Sequence, residues 1–294
     1  MKRNKTPHYL KKLYLHSCLE EIKAQKPGNV SFKSNIPGLQ KNKFFRAAKI
    51  SSEPLTNVNL SIGESIYNAC KRCMNELGTN YNLGIILLCA PIIRASLKEF
   101  GSKKEFLLGL KKIILNIDKK ETEYIVRAIK ICNPAGIDKY NSKGNIMKKN
   151  ITNFTFHDLA VMSQDYDRIS GCYASNYKEI FNEALPYFRY QIKKKKKFAI
   201  ERLYLRLLSI KNDSHIQRKF NSSKAEEIRY FSLNFYKKLN NFNDFNEYKN
   251  LLWLNNYLKR KHINPGTCAD LTVTTLLIDK IMAIVKYSIN DTYT

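Results

Sequence analysis

The sequence predicts an all-α protein, a single-domain orthogonal bundle of roughly ten to twelve helices. Apolar residues recur at three- and four-residue steps, as in Ile62, Ile66, Cys70, Cys73 and Leu77, and again in Ile228, Phe231, Phe235 and Leu239. No segment alternates apolar and polar residues between turn signals in the way a strand does. Polar breaks rich in Asn, Gly and Pro punctuate the periodic stretches, and no Pro-, Gly- or Ser-rich linker or internal repeat divides the chain.

Taken in order, the first helix is expected at 7–25 and stops at Lys26-Pro27-Gly28-Asn29. Helices follow at 41–51 and 61–77, the latter carrying the Ile62 to Leu77 stripe. Asn80-Tyr81-Asn82 precedes a helix at 82–100, and 103–116 and 119–131 lead to Asn133-Pro134-Ala135-Gly136. The loop from Asn133 to Asn153 exceeds the usual connection length, which marks it as a lid or a disordered segment. One long helix is expected at 156–184, with Asp158 and Asp165 on one face and Asp167 pointing elsewhere. The helix at 187–210 contains the run Lys193 to Lys197, read as a solvated face, and ends at Asn212-Asp213-Ser214-His215. Helices at 223–239 and 244–261 precede the last, at 266–289. There Asn264 and Pro265 supply a capping side chain and a first-turn proline.

The 294 residues are 44% hydrophobic, enough for a real core, and carry a net charge of +26. That charge suits polyanionic partners: nucleic acid, an anionic membrane or multiply phosphorylated small molecules. The excess is mostly Lys beside many Asn and Ile, as a biased codon pool also produces. Seven cysteines lie scattered through apolar stretches. They read as reduced, buried thiols of a cytoplasmic protein, Cys70-x-x-Cys73 included, rather than as zinc ligands. Residues Met1 to Lys12 are polar with no apolar run behind them, so no signal peptide is expected. No run is long enough for a membrane span.

Asp270 is the most costly residue of the pattern. It lies one turn inside an almost wholly apolar helix, where a carboxylate must be paired, protonated or bound to a cation. The same helix start suits an anion. Other candidate acids are Asp158, Asp165 and Asp167, Asp213 ahead of His215, Arg218 and Lys219, and Glu20 and Glu21 ahead of Lys26. Carboxylates gathered at a pocket could hold Mg²⁺ on a nucleotide or act as a general base. Lys26, Arg218 and Lys219 suit phosphate oxygens. The P-loop, the GxGxxG turn, the GxSxG elbow and the HExxH helix are all absent from the sequence, so a nucleotide site would be of a rarer, helical kind.

Together the breaks resemble one family, the triphosphoribosyl-dephospho-CoA synthases, from about Ser17 to Leu277, with its archaeal branch nearest. Glu20 followed by Lys26-Pro27-Gly28-Asn29-Val30 is similar to the family's glutamate and KPGNV. Asn80-Tyr81-Asn82-Leu83-Gly84-Ile85-Ile86 resembles N-T-N-L-G-I-I, and Pro134-Ala135-Gly136 resembles P-G-G. Thr155 to Tyr173 follows a family helix with acids at Asp158 and Asp167. Asp213-Ser214-His215-Ile216 with Arg218-Lys219 matches D-S-H-I-x-R-K, and Asn264 to Leu271 is similar to N-P-G-T-T-A-D-L. Departures are Ala135 for Gly, Gly171-Cys172 where Arg-Gln is usual, and Asn145 or Asn150 in place of an aspartate before Thr155.

The resemblance implies transfer of the triphosphoribosyl group of ATP to the 2′-hydroxyl of 3′-dephospho-CoA with release of adenine. It implies Asp270 or Asp167 as base or charge stabiliser, and Asp158 and Asp213 on Mg²⁺ that arrives with ATP. The expected substrate and phosphate contacts are Lys26, Gly28, Asn29, Asn80, Asn82, Gly84, His215, Arg218, Lys219, Asn264, Gly266 and Thr267. Two other readings stand beside it: the same transfer onto a different cofactor precursor, and a non-catalytic basic protein that binds nucleotide or nucleic acid. Nucleic acid is the less expected partner, because acids at the breaks repel phosphate.

Overall fold

The computed structural model describes residues 6–36, 40–137, 144–147, 153–239 and 244–290, with side chains to 283. Many of the helices start on a capping side chain. α1 (Pro7–Lys23) starts on Thr6, whose hydroxyl accepts from the Tyr9 amide. α2 (Lys41–Thr56) runs to α3 (Ile62–Leu77), which opens on a capping box between Ser61 and Glu64 and closes on left-handed Gly78. α4 (Leu83–Ser96) follows, then α5 (Lys103–Leu115) capped by Ser102 and α6 (Lys119–Cys132) capped by Asp118.

The next segment differs from the sequence expectation. The single helix expected at 156–184 is broken into α7 (Phe156–Ser163), α8 (Arg168–Ala174) and a π-helical turn, Ile180–Ala184. Asp167 turns to extended backbone and caps α8 through the Ser170 amide, so a new helix starts where one was expected to continue. The seven-residue spacing of Asp158 and Asp165 therefore does not describe one face. The helix expected at 187–210 is also two, α9 (Leu185–Lys193) and α10 (Ala199–Ile210). The lysine run lies largely in the break between them, with Lys195 at positive φ. A short α11 (Ser214–Lys219) joins α10 to α12 (Ser222–Leu239), α13 (Asp244–Arg260) and α14 (Gly266–Asn290). Fourteen α-helices and no strand occur among the described residues, somewhat more helices than expected. None of the described helices is long and apolar enough to cross a membrane.

The core is built around α4 and α14, which pack against each other. Both are apolar on nearly all sides: Ile86, Leu88, Cys89, Ile92 and Ile93 of α4 and Leu271, Leu277, Ile278 and Ile281 of α14 are all inaccessible to solvent. α1 and α10 cover α14, and α3 packs between α2 and α6. Pro91 lacks the N–H that would satisfy the Leu87 carbonyl inside α4. The Tyr173 hydroxyl donates to that carbonyl at 2.6 Å and the Tyr177 hydroxyl to Leu88 at 2.8 Å, so the broken α8 segment mends the proline defect.

Candidate active site

Where the polar breaks converge they line a cavity of about 240 Å³. Its apolar wall comes from Ile85, Leu87, Ile129, Ile146, Phe156 and Leu159. Its polar wall is set by helix starts. Leu83, Gly84 and Ile85 open α4, and Gly266, Thr267 and Asp270 open α14, so two long helices turn their positive ends to the same space.

Asp270 is the centre of that wall. Its carboxylate lies against the first turn of α4 and fills the place a side chain at Gly84 would occupy. A Cβ added at Gly84 would stand 2.0 Å from Oδ2. No hydrogen bond or ion pair engages this carboxylate among the described residues. Burial, then the neighbouring Glu21 and Asp213 charges, push its pKa well above the usual carboxylate range, against the pull of Arg218.

Asp167 also lines the cavity, but its oxygens are in use. Oδ2 accepts from the Ser170 amide at 2.9 Å and hydroxyl at 2.8 Å, and Oδ1 accepts from the Arg218 guanidinium at 2.9 Å. Arg218 keeps a buried Nε without a partner among the described residues. Its backbone is met by Gly136, at φ +75°, where a Cβ would lie 2.2 Å from the Arg218 carbonyl oxygen. That contact requires glycine, a function beyond ending α6.

His215, Asn29, Asn80, Asn82, Asn264, Gly266 and Thr267 line the cavity. The His215 pKa is lowered by burial and by Arg218 and Lys219, with Asp213 opposing. Asn80, rather than Asn82, caps α4, since its Oδ1 accepts from Leu83. The Asn82 amide donates to Ser51, and the Asn29 amide donates to Asn264 at 2.7 Å.

Five expected site residues are not on the cavity wall. Lys26 is wholly buried: Nζ donates to the carbonyls of Glu21 and Val30 and pairs with the Glu21 carboxylate at 3.1 Å. Its donors fold the 24–30 turn rather than meet a ligand. Gly28 fits beneath the Ile263 carbonyl, and its amide donates to Asn255. Lys219 is exposed and donates to the His262 carbonyl. Asp158 is an exposed partner in the Thr155 capping box. Asp213 is inaccessible to solvent and caps two helices at once. Oδ1 accepts from the amides of His215 and Ile216 at 2.9 and 3.1 Å, and Oδ2 from Cys268 of α14 at 2.8 Å. Both carboxylates of the expected metal pair thus serve helix starts and lie off the cavity wall. Asp213 rather than Asn264 supplies the side-chain cap recorded at the start of α14.

The glutamate at the site is Glu21. Glu20, which the motif comparison singles out, pairs instead with Lys280, while Glu21 lines the cavity with its pKa raised by burial against the pull of Lys26. A helix places adjacent residues about a quarter-turn apart, and sequence alone does not say which of the two faces inward. Of the departures, Ala135 lines the cavity, whereas Gly171 and Cys172 do not; Cys172 is buried in the core. Asn145 lines the cavity and Asn150 lies outside the described residues.

No group of three or more His, Cys, Asp or Glu side chains suited to a metal ion occurs among the described residues. Mg²⁺ that arrives with ATP is held mainly by phosphates and water and would need only one or two carboxylates from the protein.

A family match supplies the class of protein: a helical transferase. The chain belongs to the ATP:dephospho-CoA triphosphoribosyl transferase family (CitG), whose profile matches residues 7–288. No curated protein sequence matches the chain. Among solved structures, a protein of Archaeoglobus fulgidus assigned as a triphosphoribosyl-dephospho-CoA synthase shares the fold, with a TM-score of 0.62 and 19% identity. The match covers 80% of this chain and 97% of that one.

Proposed function

We propose that this transferase moves the triphosphoribosyl group of ATP onto the 2′-hydroxyl of 3′-dephospho-CoA and releases adenine. Support comes first from Asp270: a free carboxylate with a raised pKa, held between the starts of α4 and α14 in a cavity that also presents Arg218. In the reaction the C1′–N9 bond of ATP breaks and a C1′–O2′ bond forms. Asp270, in its ionised form, accepts the proton of the attacking hydroxyl, and its raised pKa makes that carboxylate a stronger base than an ordinary one. Adenine leaves with the bonding electron pair and takes up a proton.

C1′ passes through an oxocarbenium-like state, and Glu21 supplies a compensating negative charge. The triphosphate is retained. It rests on the N–H groups at the helix starts and on Arg218, which Asp167 orients. Asp167 is thus a positioning residue, and Asp270 the base. The apolar wall receives an uncharged part of a substrate.

The test incubates purified protein with ATP, Mg²⁺ and dephospho-CoA and measures free adenine by chromatography. Adenine release that needs dephospho-CoA supports the reading. Release with only a different acceptor redirects it to that acceptor, and no release with any acceptor refutes it.

A further inference from the structure

Away from the cavity, three aromatic rings lie side by side where α12 meets α13. Phe231 and Tyr257 have centroids 4.9 Å apart at 20°, and Tyr257 and Trp253 have centroids 5.8 Å apart at 13°. Trp253, the only tryptophan of the chain, is 53% exposed. None of the three lines the cavity. Helical spacing puts Lys249, Trp253, Tyr257 and Arg260 on one stripe of α13. Just past its end, Lys261 Nζ stands 5.2 Å from the Tyr257 ring centroid.

Of the acids on these two helices, Glu226 pairs with Arg229, Glu227 with Lys224 and Glu247 with Arg202, while Asp244 lies at the opposite end of α13, more than two turns from Trp253. No carboxylate pairs with Lys249, Arg260 or Lys261 among the described residues. A flat exposed ring flanked by free cations suits a ligand that combines π faces with regularly spaced negative charge. A second copy of this chain would bring the same cations against each other, so charge disfavours that occupant.

We propose that the α12–α13 face binds single-stranded nucleic acid, with a base stacked on Trp253 and the flanking phosphates on Lys249, Arg260 and Lys261. Duplex bases are already stacked on one another and have no free face to offer the ring. This surface is separate from the cavity and does not depend on the transfer reaction.

The lone tryptophan makes the test direct. The full chain is titrated with a short oligoadenylate and with a duplex of equal length, following tryptophan fluorescence. The single strand should quench it saturably and the duplex should not. The logarithm of affinity should fall against that of salt with a slope of about −2, as three phosphate contacts imply. Trp253→Ala, read by anisotropy of a labelled oligoadenylate, should weaken binding about tenfold and leave adenine release unchanged. Lys249→Ala with Lys261→Ala should flatten the salt slope. Absence of quenching, equal quenching by the duplex, or undiminished binding by Trp253→Ala would overturn the proposal. So would a tryptophan signal that tracks protein concentration alone, which would mark a self-association face.

Discussion

Gly84→Ala offers a sharp test of how the site is built, because it adds one methyl group where the structure leaves no room for it. The new Cβ would lie 2.0 Å from Asp270 Oδ2, where ordinary contact begins at 3.4 Å, so the carboxylate must retreat by about 1.4 Å. The obstacle is the end of a side chain rather than backbone, and Asp270 can rotate away. An off-rotamer side chain costs about 0.5–1.5 kcal/mol, and alanine in a helix returns about 0.8–1 kcal/mol over glycine. The two nearly cancel, and the melting temperature should stay within about 4 °C of the parent. Activity should not survive as well. Misplacing a reacting group by about 1 Å can cost about a hundredfold, so adenine release should fall by at least about that factor. Rates are measured by chromatography on the same preparation used for thermal unfolding. An unchanged rate would refute the placement of Asp270 at the reacting centre. A lost rate with a collapsed melting transition would refute the local steric argument.

Asp270→Asn should lower adenine release by about 10²–10⁴-fold while retaining the fold, checked by circular dichroism. Its pH signature has a definite sign. Because the folded-state pKa is raised, the native protein holds a proton that the unfolded chain gives up near pH ~3.9, so parental stability declines as pH rises through that window. The variant lacks this decline: it should denature at higher urea than the parent at pH 8, and the difference should vanish below about pH 3.5. Asp213→Ala strips acceptors from three amides at two helix starts and should cost about 3–6 kcal/mol in chemical denaturation. Asp213→Asn, which keeps a single amide oxygen as acceptor, should cost less. Glu21→Gln leaves the Lys26 ammonium buried without its counter-charge and should cost about 3 kcal/mol by urea midpoint.

Local signals carried much of the fold. The stripes on α3 and α12 and the break before α14 fix helices through side-chain spacing and capping chemistry, which act over a few residues. They failed at Asp167 and at the lysine run, where a new helix or a break replaces continued periodicity. Pro91 adds a long-range reason for the first: its orphaned Leu87 carbonyl is met by Tyr173 of the broken segment.

The site divides in the same way. In the sequence, motif resemblance marked Asn80 to Gly84, Asp167, His215, Arg218 and Asn264 to Asp270 as expected site residues, and the apolar helix around Asp270 marked the cost of that carboxylate. Only the tertiary structure decided which charged groups remain available to a ligand. Lys26 is consumed by carbonyls of its own turn, Asp213 by the starts of α11 and α14, and Glu20 by Lys280, while Glu21 and Asp270 face the cavity. The physical reason is that a polar side chain is bound by whichever donor or acceptor the packing brings within about 3 Å, and those partners lie on helices far apart in the chain.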